Sequence, residues 1–315
     1  MPTSAAPSTD NLDPPSGYVG RFAPSPTGPL HFGSLISALA SYLDARAHRG
    51  LWLVRMEDID PPREQAGAAD SILHCLAAHG LHADDAVWYQ SARHAIYRDA
   101  AQGLAAEHAA FYCTCSRSQL GGHNVYPGHC REKFTTPNTP YAIRLRVTAA
   151  IVEFDDAIQG RYCEWVDRSV GDFVIYRKEQ LPAYQLAVVI DDAAQGVTHV
   201  VRGCDLLDNT ARQIVLQRAL QLPTPTYAHV PVIANPHNQK LSKQTYARPL
   251  DPAQAFDNLC AALEFLGQPL PAQDAGNSVD SLLAHAISHW SLARVPRARS
   301  IAGAQLPASC RRFAS

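Results

Sequence analysis

Several things are missing from this sequence, and each absence excludes a class of protein. It has no run of about twenty apolar residues, the length a membrane-spanning helix needs. Residues 1–17, MPTSAAPSTDNLDPPSG, lack the basic start and apolar stretch of a secretory signal and read as a disordered extension. There is no excess of basic charge: 27 Lys and Arg face 29 Asp and Glu, a net charge of −2. Contact with a polyanion such as nucleic acid would therefore have to come from a local patch. A disulfide framework is missing too. Of the eight cysteines, Cys75, Cys163, Cys204, Cys260 and Cys310 are isolated, which fits a reducing, cytoplasmic setting. Internal repeats and low-complexity core segments are also absent. What remains, 46% hydrophobic and 18% charged residues, is ordinary for a globular chain with a buried core.

The patterning predicts an α/β fold. Residues 18–22 (YVGRF) read as a strand, followed by a Pro/Gly-rich loop. The next segment carries Leu35, Ile36, Leu39, Ala40 and Leu43 at helical spacing, with Ser34 as a candidate N-cap and Gly50 past the end. LWLVRM then reads as a buried strand, which completes a βαβ unit of a parallel sheet. Helices are expected over 63–79 and 91–109. Strands are expected over 141–147 and 151–166, with a turn at Gln159–Gly160. FVIYR, LAVVI and THVVRG follow as apolar runs, then a helix over 208–221 and a strand-like segment over 228–234. Mainly helix is expected from 251 onwards, interrupted by a loop over 267–278. The expected organisation is an α/β nucleotide-binding domain over 18–110 and 181–250, an inserted subdomain over 111–180, and a short helical C-terminal region over 251–315.

Two segments carry chemistry. Arg21-Phe-Ala-Pro-Ser-Pro-Thr-Gly-Pro-Leu-His-Phe-Gly-Ser34 joins a strand end to a helix N-terminus, where free N–H groups and the helix dipole favour anions such as ATP phosphates. His31 can donate to a phosphate oxygen, and Gly33 lets a flat base approach the backbone. Lys240-Leu-Ser-Lys-Gln244 places two lysines and a serine on a turn, suited to holding phosphates while charge develops on pyrophosphate. Taken singly, the first could be a plain connector and the second a solvated basic turn.

Together, and roughly 200 residues apart, they resemble the two signatures of class I aminoacyl-tRNA synthetases, in the form used by the glutamyl enzymes. Met56-Glu-Asp-Ile-Asp60, Pro182-Ala-Tyr-Gln-Leu-Ala187 and Gly196-Val-Thr-His-Val-Val-Arg-Gly203 resemble further segments of that family, so the likeness covers about residues 18–250. Ser34 and Gln244 depart from the general patterns at places where glutamyl enzymes vary. The resemblance implies that the α/β domain is a Rossmann-like catalytic domain and that it carries out ATP-dependent activation of L-glutamate, with magnesium accompanying the ATP. ATP would be handled by Pro24, His31, Gly33, Ser34, Lys240, Ser242 and Lys243, with His31 and Lys243 catalytic. Glutamate would be held by Arg21, Phe22, Ala23, Pro24, Ser25, Glu57, Tyr184 and Arg202: arginines for the carboxylates, Glu57 for the ammonium, and hydroxyls of Tyr184 and Ser25 alongside. Asp58, Asp60, Asp191 and Asp192 read first as caps or structural partners.

Cys113, Cys115 and Cys130 are three thiols within 18 residues, suited to one structural zinc. The fourth ligand is open between His123, His129 and Tyr126. Imidazole is the commoner choice, whereas resemblance to short members of the family, with the pattern C-x-C…Y-x-x-x-C, implies Tyr126. Those short forms attach glutamate to the queuosine base of tRNA(Asp) rather than to a tRNA 3′ end. The short segment after residue 250, without room for an anticodon-reading domain, has the same layout. The implied partners are ATP, L-glutamate and queuosine-bearing tRNA(Asp), with no membrane and a monomeric chain. Ordinary 3′-end charging and a non-catalytic binding paralogue are the alternatives.

Overall fold

In the computed structural model, the described residues are 17–116, 118–122, 125–148, 151–234, 248–272, 278–302 and 305–313. The extension expected over 1–17 lies outside them except for Gly17, and Lys240, Ser242, Lys243 and His123 lie outside them as well.

The chain opens with β1 (Val19–Phe22), α1 (Phe32–Ala47) and β2 (Leu51–Met56), the anticipated βαβ unit. β1 and β2 pair in parallel, from Val19↔Leu51 to Phe22↔Val54. Helix α1 starts earlier than the sequence suggests. Its N-cap is His31, whose Nδ1 accepts from the Ser34 N–H, so the expected Ser34 cap is corrected to His31. The imidazole does what a hydroxyl would, because it too offers a lone pair to an N–H of the first turn. Most of α1 is buried, from Leu35 to Ala45, as a helix packed on several sides must be.

A 3₁₀ turn over Pro61–Arg63 and α2 (Ala68–Ala78) replace the single helix expected over 63–79. Then come β3 (Trp88–Tyr89), which extends the sheet beside β2, and α3 (His94–Ala106). β4 (Ala110–Cys113), β5 (Ala142–Leu145) and, later, β8 (Val174–Tyr176) form an antiparallel sheet. Between β5 and β8 lie the hairpin β6 (Ile151–Asp156) and β7 (Gly160–Trp165) and the short helix α4 (Val166–Ser169). The hairpin turn uses Gly160 at φ 83°, a left-handed conformation that glycine adopts without strain.

LAVVI, an apolar run of strand length, lies inside the helix α5 (Tyr184–Ala194). Gln185 to Asp192 are all buried, so the run lacks the polar interruptions that mark a helix. β9 (His199–Gly203), α6 (Leu207–Ala219) and β10 (Thr226–Val230) form a second parallel unit, Thr226↔His199 to Val230↔Gly203. This unit meets the first where Thr198 N–H donates to Val19 C=O at 3.0 Å. The hairpin joins the same sheet through Tyr227↔Asp156.

β11 (Val232–Ala234) is followed by α7 (Ala255–Phe265), α8 (Val279–His289) and β12 (Ser300–Ala302). β12 was hidden in the sequence: three residues paired in parallel with β11 carry no periodicity of their own. α7 and α8 bury Leu259, Leu263 and Leu282 in the same core as α1, and Phe313 stacks on Phe32 at 3.9 Å.

Candidate active site

The parallel strands β1, β2, β9 and β10 end on one side of the sheet, where open α/β sheets place their ligands. A cavity of about 340 Å³ lies there. Its walls come from the end of β1 and the loop after it (Arg21 to Ser25), the start of α1 (His31, Ser34), Tyr184 on α5, and Arg202 on β9. A second chamber of about 270 Å³ shares Ser25, Thr27 and Tyr184 with the first and contains Glu57, Asp60, Arg63 and Arg177. A small recess of about 100 Å³ on the other side shares His31, Ser34 and Asp205 and reaches Gly33 and Val232.

The loop is held in place from β2: Glu57 N–H donates to Pro24 C=O at 3.0 Å. That bond sets the loop that carries Ser25 against the carboxylate of Glu57. His31 sits at the mouth of α1. With Nδ1 accepting from Ser34 N–H, its proton resides on Nε2, 3.0 Å from Ser34 Oγ. The helix start thus brings an imidazole, a hydroxyl and the positive end of the helix dipole together, a combination suited to phosphate oxygens.

The two arginines expected to hold carboxylates are both buried, but in different ways. Arg21 donates to Asp192 from Nε at 3.3 Å and from Nη2 at 3.4 Å. The same aspartate accepts from Arg55 Nη2 at 2.7 Å. Burial works against the Asp192 anion, yet Arg21 and Arg55 outweigh it and hold its pKa below the usual carboxylate range. Arg202 donates from Nε to His229 at 3.0 Å, and from Nη2 to Thr210 at 2.9 Å and Gln213 at 2.8 Å. Its Nη1 is buried and makes no hydrogen bond among the described residues, and the cavity lies against this side chain.

Glu57 is buried, 3.7 Å from Arg55, with Oε1 making no hydrogen bond among the described residues. Burial pushes its pKa up to about 7, with Arg55 and Arg21 acting against that rise. Burial also raises the Tyr184 phenol to about 12, so it stays a neutral donor. The cavity therefore has cationic groups around it, among them the Arg202 guanidinium with no hydrogen bond at Nη1 among the described residues, and the Glu57 carboxyl in the adjoining chamber. That arrangement is complementary to a small zwitterion carrying an extra carboxylate.

Most of the anticipated residues gather here: Arg21, Phe22, Ala23, Pro24, Ser25, His31, Ser34, Tyr184 and Arg202 around the first cavity, Glu57 in the second chamber and Gly33 in the recess. Asp191 and Asp192 are partners within the fold. Asp191 accepts from Gln90 at 2.9 Å, Arg93 at 2.8 Å and Tyr97 at 2.6 Å. The sequence reading missed Arg55, Asp205, His229 and Asp156, because none of them stands in a recognisable motif. Gly203, which closes the segment 196–203 quoted above, was not singled out for the site either. A side chain there would bring Cβ to 2.5 Å from Asp205 Oδ1 and 3.3 Å from Val232.

The three cysteines also come together. Their sulfurs all lie within 4.8 Å of one another in a buried cluster. Tyr126 oxygen is 3.6 Å from Cys113 Sγ and 3.5 Å from Cys115 Sγ. His129 is exposed. Lys178 pins the C-x-C turn by donating to Thr114 C=O at 2.9 Å and Cys115 C=O at 2.7 Å.

The family model for the catalytic domain of class I tRNA synthetases of the glutamyl and glutaminyl (E and Q) type matches residues 18–254, the span that builds this cavity. The chain belongs to that family. Over 292 residues it is 51% identical to the glutamyl-Q tRNA(Asp) synthetase of Ectopseudomonas mendocina, covering 92% of this chain and 99% of that one. The enzyme of the same name from Pseudomonas aeruginosa PAO1 is 50% identical over 287 residues, covering 91% and 98%. Among solved structures, a glutamate tRNA ligase from Elizabethkingia meningosepticum, crystallised with its amino acid, superposes with a TM-score of 0.75 at 25% identity. The match covers 90% of this chain and 66% of that one, so the chain spans about two thirds of the ligase. Among the described residues no helix is long and apolar enough to cross a membrane.

Proposed function

We propose that this chain activates L-glutamate with ATP, without needing tRNA for that step, and transfers the glutamate to the queuosine base of tRNA(Asp). The observation that carries the amino-acid half is Arg202, a buried guanidinium that lines the cavity and whose Nη1 makes no hydrogen bond among the described residues. A buried donor without a partner is costly, and a substrate carboxylate would satisfy it. The near end-to-end match to glutamyl-Q tRNA(Asp) synthetases, against a two-thirds match to the glutamate tRNA ligase, supports the base as acceptor.

In this reading Arg21 and Arg202 hold the carboxylates, Glu57 faces the ammonium, and Ser25 and Tyr184 donate or accept alongside. His31 and the start of α1 take the phosphates, with Pro24, Gly33 and Ser34 shaping the nucleotide side. Lys240, Ser242 and Lys243 would close on the phosphates from the second signature. Magnesium bound with ATP would neutralise charge developing on the phosphates.

The test is glutamate-dependent ATP–pyrophosphate exchange by the purified chain, first without tRNA. Exchange that appears only on adding tRNA would reject the proposed order of events. The same assay has an expected pH dependence. Glu57, raised to about 7 by burial, is protonated below that value, so the negative charge facing the ammonium is lost as pH falls. The KM for glutamate should therefore rise on going from pH 8 to pH 6, and Glu57→Gln should be weak throughout and flat with pH.

Cys113, Cys115, Cys130 and Tyr126 fit a zinc ion, and we propose one structural zinc held by this set within residues 111–180. Zinc–sulfur bonds of about 2.3 Å put the sulfurs of a tetrahedral site roughly 3.8 Å apart. Cys115 and Cys130 sulfurs already stand 3.5 Å apart. Cys115→Ser should release the metal and loosen the region around 110–131, read by metal analysis and hydrogen exchange. Full zinc affinity in Tyr126→Phe, with loss in His129→Ala, would reverse the choice of fourth ligand.

A further inference from the structure

Arg202 sits in front of two buried residues that the binding scheme above does not use. Its Nε donates to Nε2 of His229, so that imidazole nitrogen carries no proton. The ring proton is then on Nδ1, 2.5 Å from Asp156 Oδ2. Asp156 and His229 side chains are both fully enclosed. The other oxygen of Asp156, Oδ1, accepts from the backbone N–H groups of Ile158 at 3.0 Å, Gln159 at 2.8 Å and His229 at 3.1 Å. The carboxylate is thereby saturated and cannot turn. Asp156 is the last residue of β6, set beside β10 by the register Tyr227↔Asp156, so the end of the hairpin stands behind His229 and, through it, behind Arg202.

The arrangement treats Arg202 differently from its neighbours. Arg21 and Arg55 touch Asp192 directly, which neutralises much of their charge. Arg202 meets a neutral ring, and its balancing carboxylate is one residue further away. Thr210 and Gln213 fix Nη2, so the plane of the guanidinium is set from both sides and only Nη1 is left over.

We propose that Asp156 and His229 are positioning residues: they lock Arg202 through a neutral acceptor, so that its charge and its Nη1 donors are kept for a carboxylate of the substrate. The inference rests on the proposed activation of glutamate. Burial holds the His229 pKa down near 4, so the ring stays neutral around neutral pH, as an acceptor for Arg202 must.

The informative variant is Asp156→Asn. Three backbone N–H groups demand an oxygen at the Oδ1 position, so the new amide NH₂ must take the place of Oδ2. It would donate to His229 Nδ1, drive the ring proton to Nε2 and set it against the Arg202 Nε–H. Mis-set tautomers of this kind are costly because two donors then face each other in a dry site. In glutamate-dependent exchange, Asp156→Asn should raise the KM for glutamate about tenfold to a hundredfold, the loss of one hydrogen bond to a charged group. The KM for ATP and the kcat at saturating glutamate should move by less than about threefold on the same argument. His229→Gln, which keeps an acceptor for Arg202, should be milder than His229→Leu. If the KM for glutamate is unchanged in Asp156→Asn, or rises together with that for ATP, the positioning role is overturned. A wild-type chain that shows no glutamate-dependent exchange would reject the underlying activation instead.

Discussion

A tRNA(Asp) that carries queuosine is expected to accept glutamate from this chain even after its 3′-terminal adenosine has been removed, whereas the same tRNA without queuosine is expected to accept none. The contrast should be all or nothing, because it removes the nucleophile itself. In the proposed transfer, a hydroxyl on the cyclopentene ring of queuosine attacks the activated carbonyl and AMP leaves, so the product is an ester on the base. An anticodon loop can present that base because its nucleotides are unstacked and can be splayed out, as a 3′ end is. Beside the amino-acid cavity lies the chamber lined by Glu57, Asp60, Arg63 and Arg177, open to a group arriving from outside. The measurement is transfer of labelled glutamate to four tRNAs, with and without queuosine and with and without the terminal adenosine. Transfer that follows the adenosine rather than queuosine would establish ordinary 3′ charging.

The second large effect is expected from Arg202→Met, which should lower kcat/KM for glutamate in exchange by about 10²–10³ while leaving ATP binding intact. Truncating one partner of a buried, hydrogen-bonded charge pair typically costs about 2–5 kcal/mol, and roughly 1.4 kcal/mol is a factor of ten. Met has similar bulk, so the packing over Tyr227 is largely kept, where the guanidinium now lies 5.4 Å from the ring centroid. Arg202→Lys should recover little: an ammonium cannot reproduce the planar fork that reaches His229, Thr210 and Gln213 at once. A near-normal glutamate KM in Arg202→Met would place the carboxylate elsewhere in the cavity.

Both expectations started from segments that can be read one at a time. The loop from Arg21 to Ser34 joins a strand to a helix start, and such a junction has to gather N–H groups and short side chains around its ligand wherever the fold puts it. The cavity lining from Arg21 to Ser34, the βαβ unit and the cysteine cluster were therefore legible in the sequence. The errors have equally local causes. Ser34 looked like the N-cap, but the loop bends so that His31 reaches the first-turn N–H three residues on. LAVVI gave no sign of its helix because both its faces are buried.

The sequence by itself determined the chemical inventory: which side chains can bind phosphate, carboxylate, ammonium or metal, and on which short segments they ride. Tertiary structure decided which of them meet. Asp192 stands 171 residues from Arg21, and Asp156 stands 73 from His229, and no spacing along the chain links either pair. Their contacts follow from the sheet register that sets Tyr227 against Asp156, and from the fold that brings Asp192 on α5 within reach of Arg21 on β1 and Arg55 on β2. Register is chosen by the burial of whole faces, a sum over many residues, so the partner of any one charged group emerges only when the sheet closes.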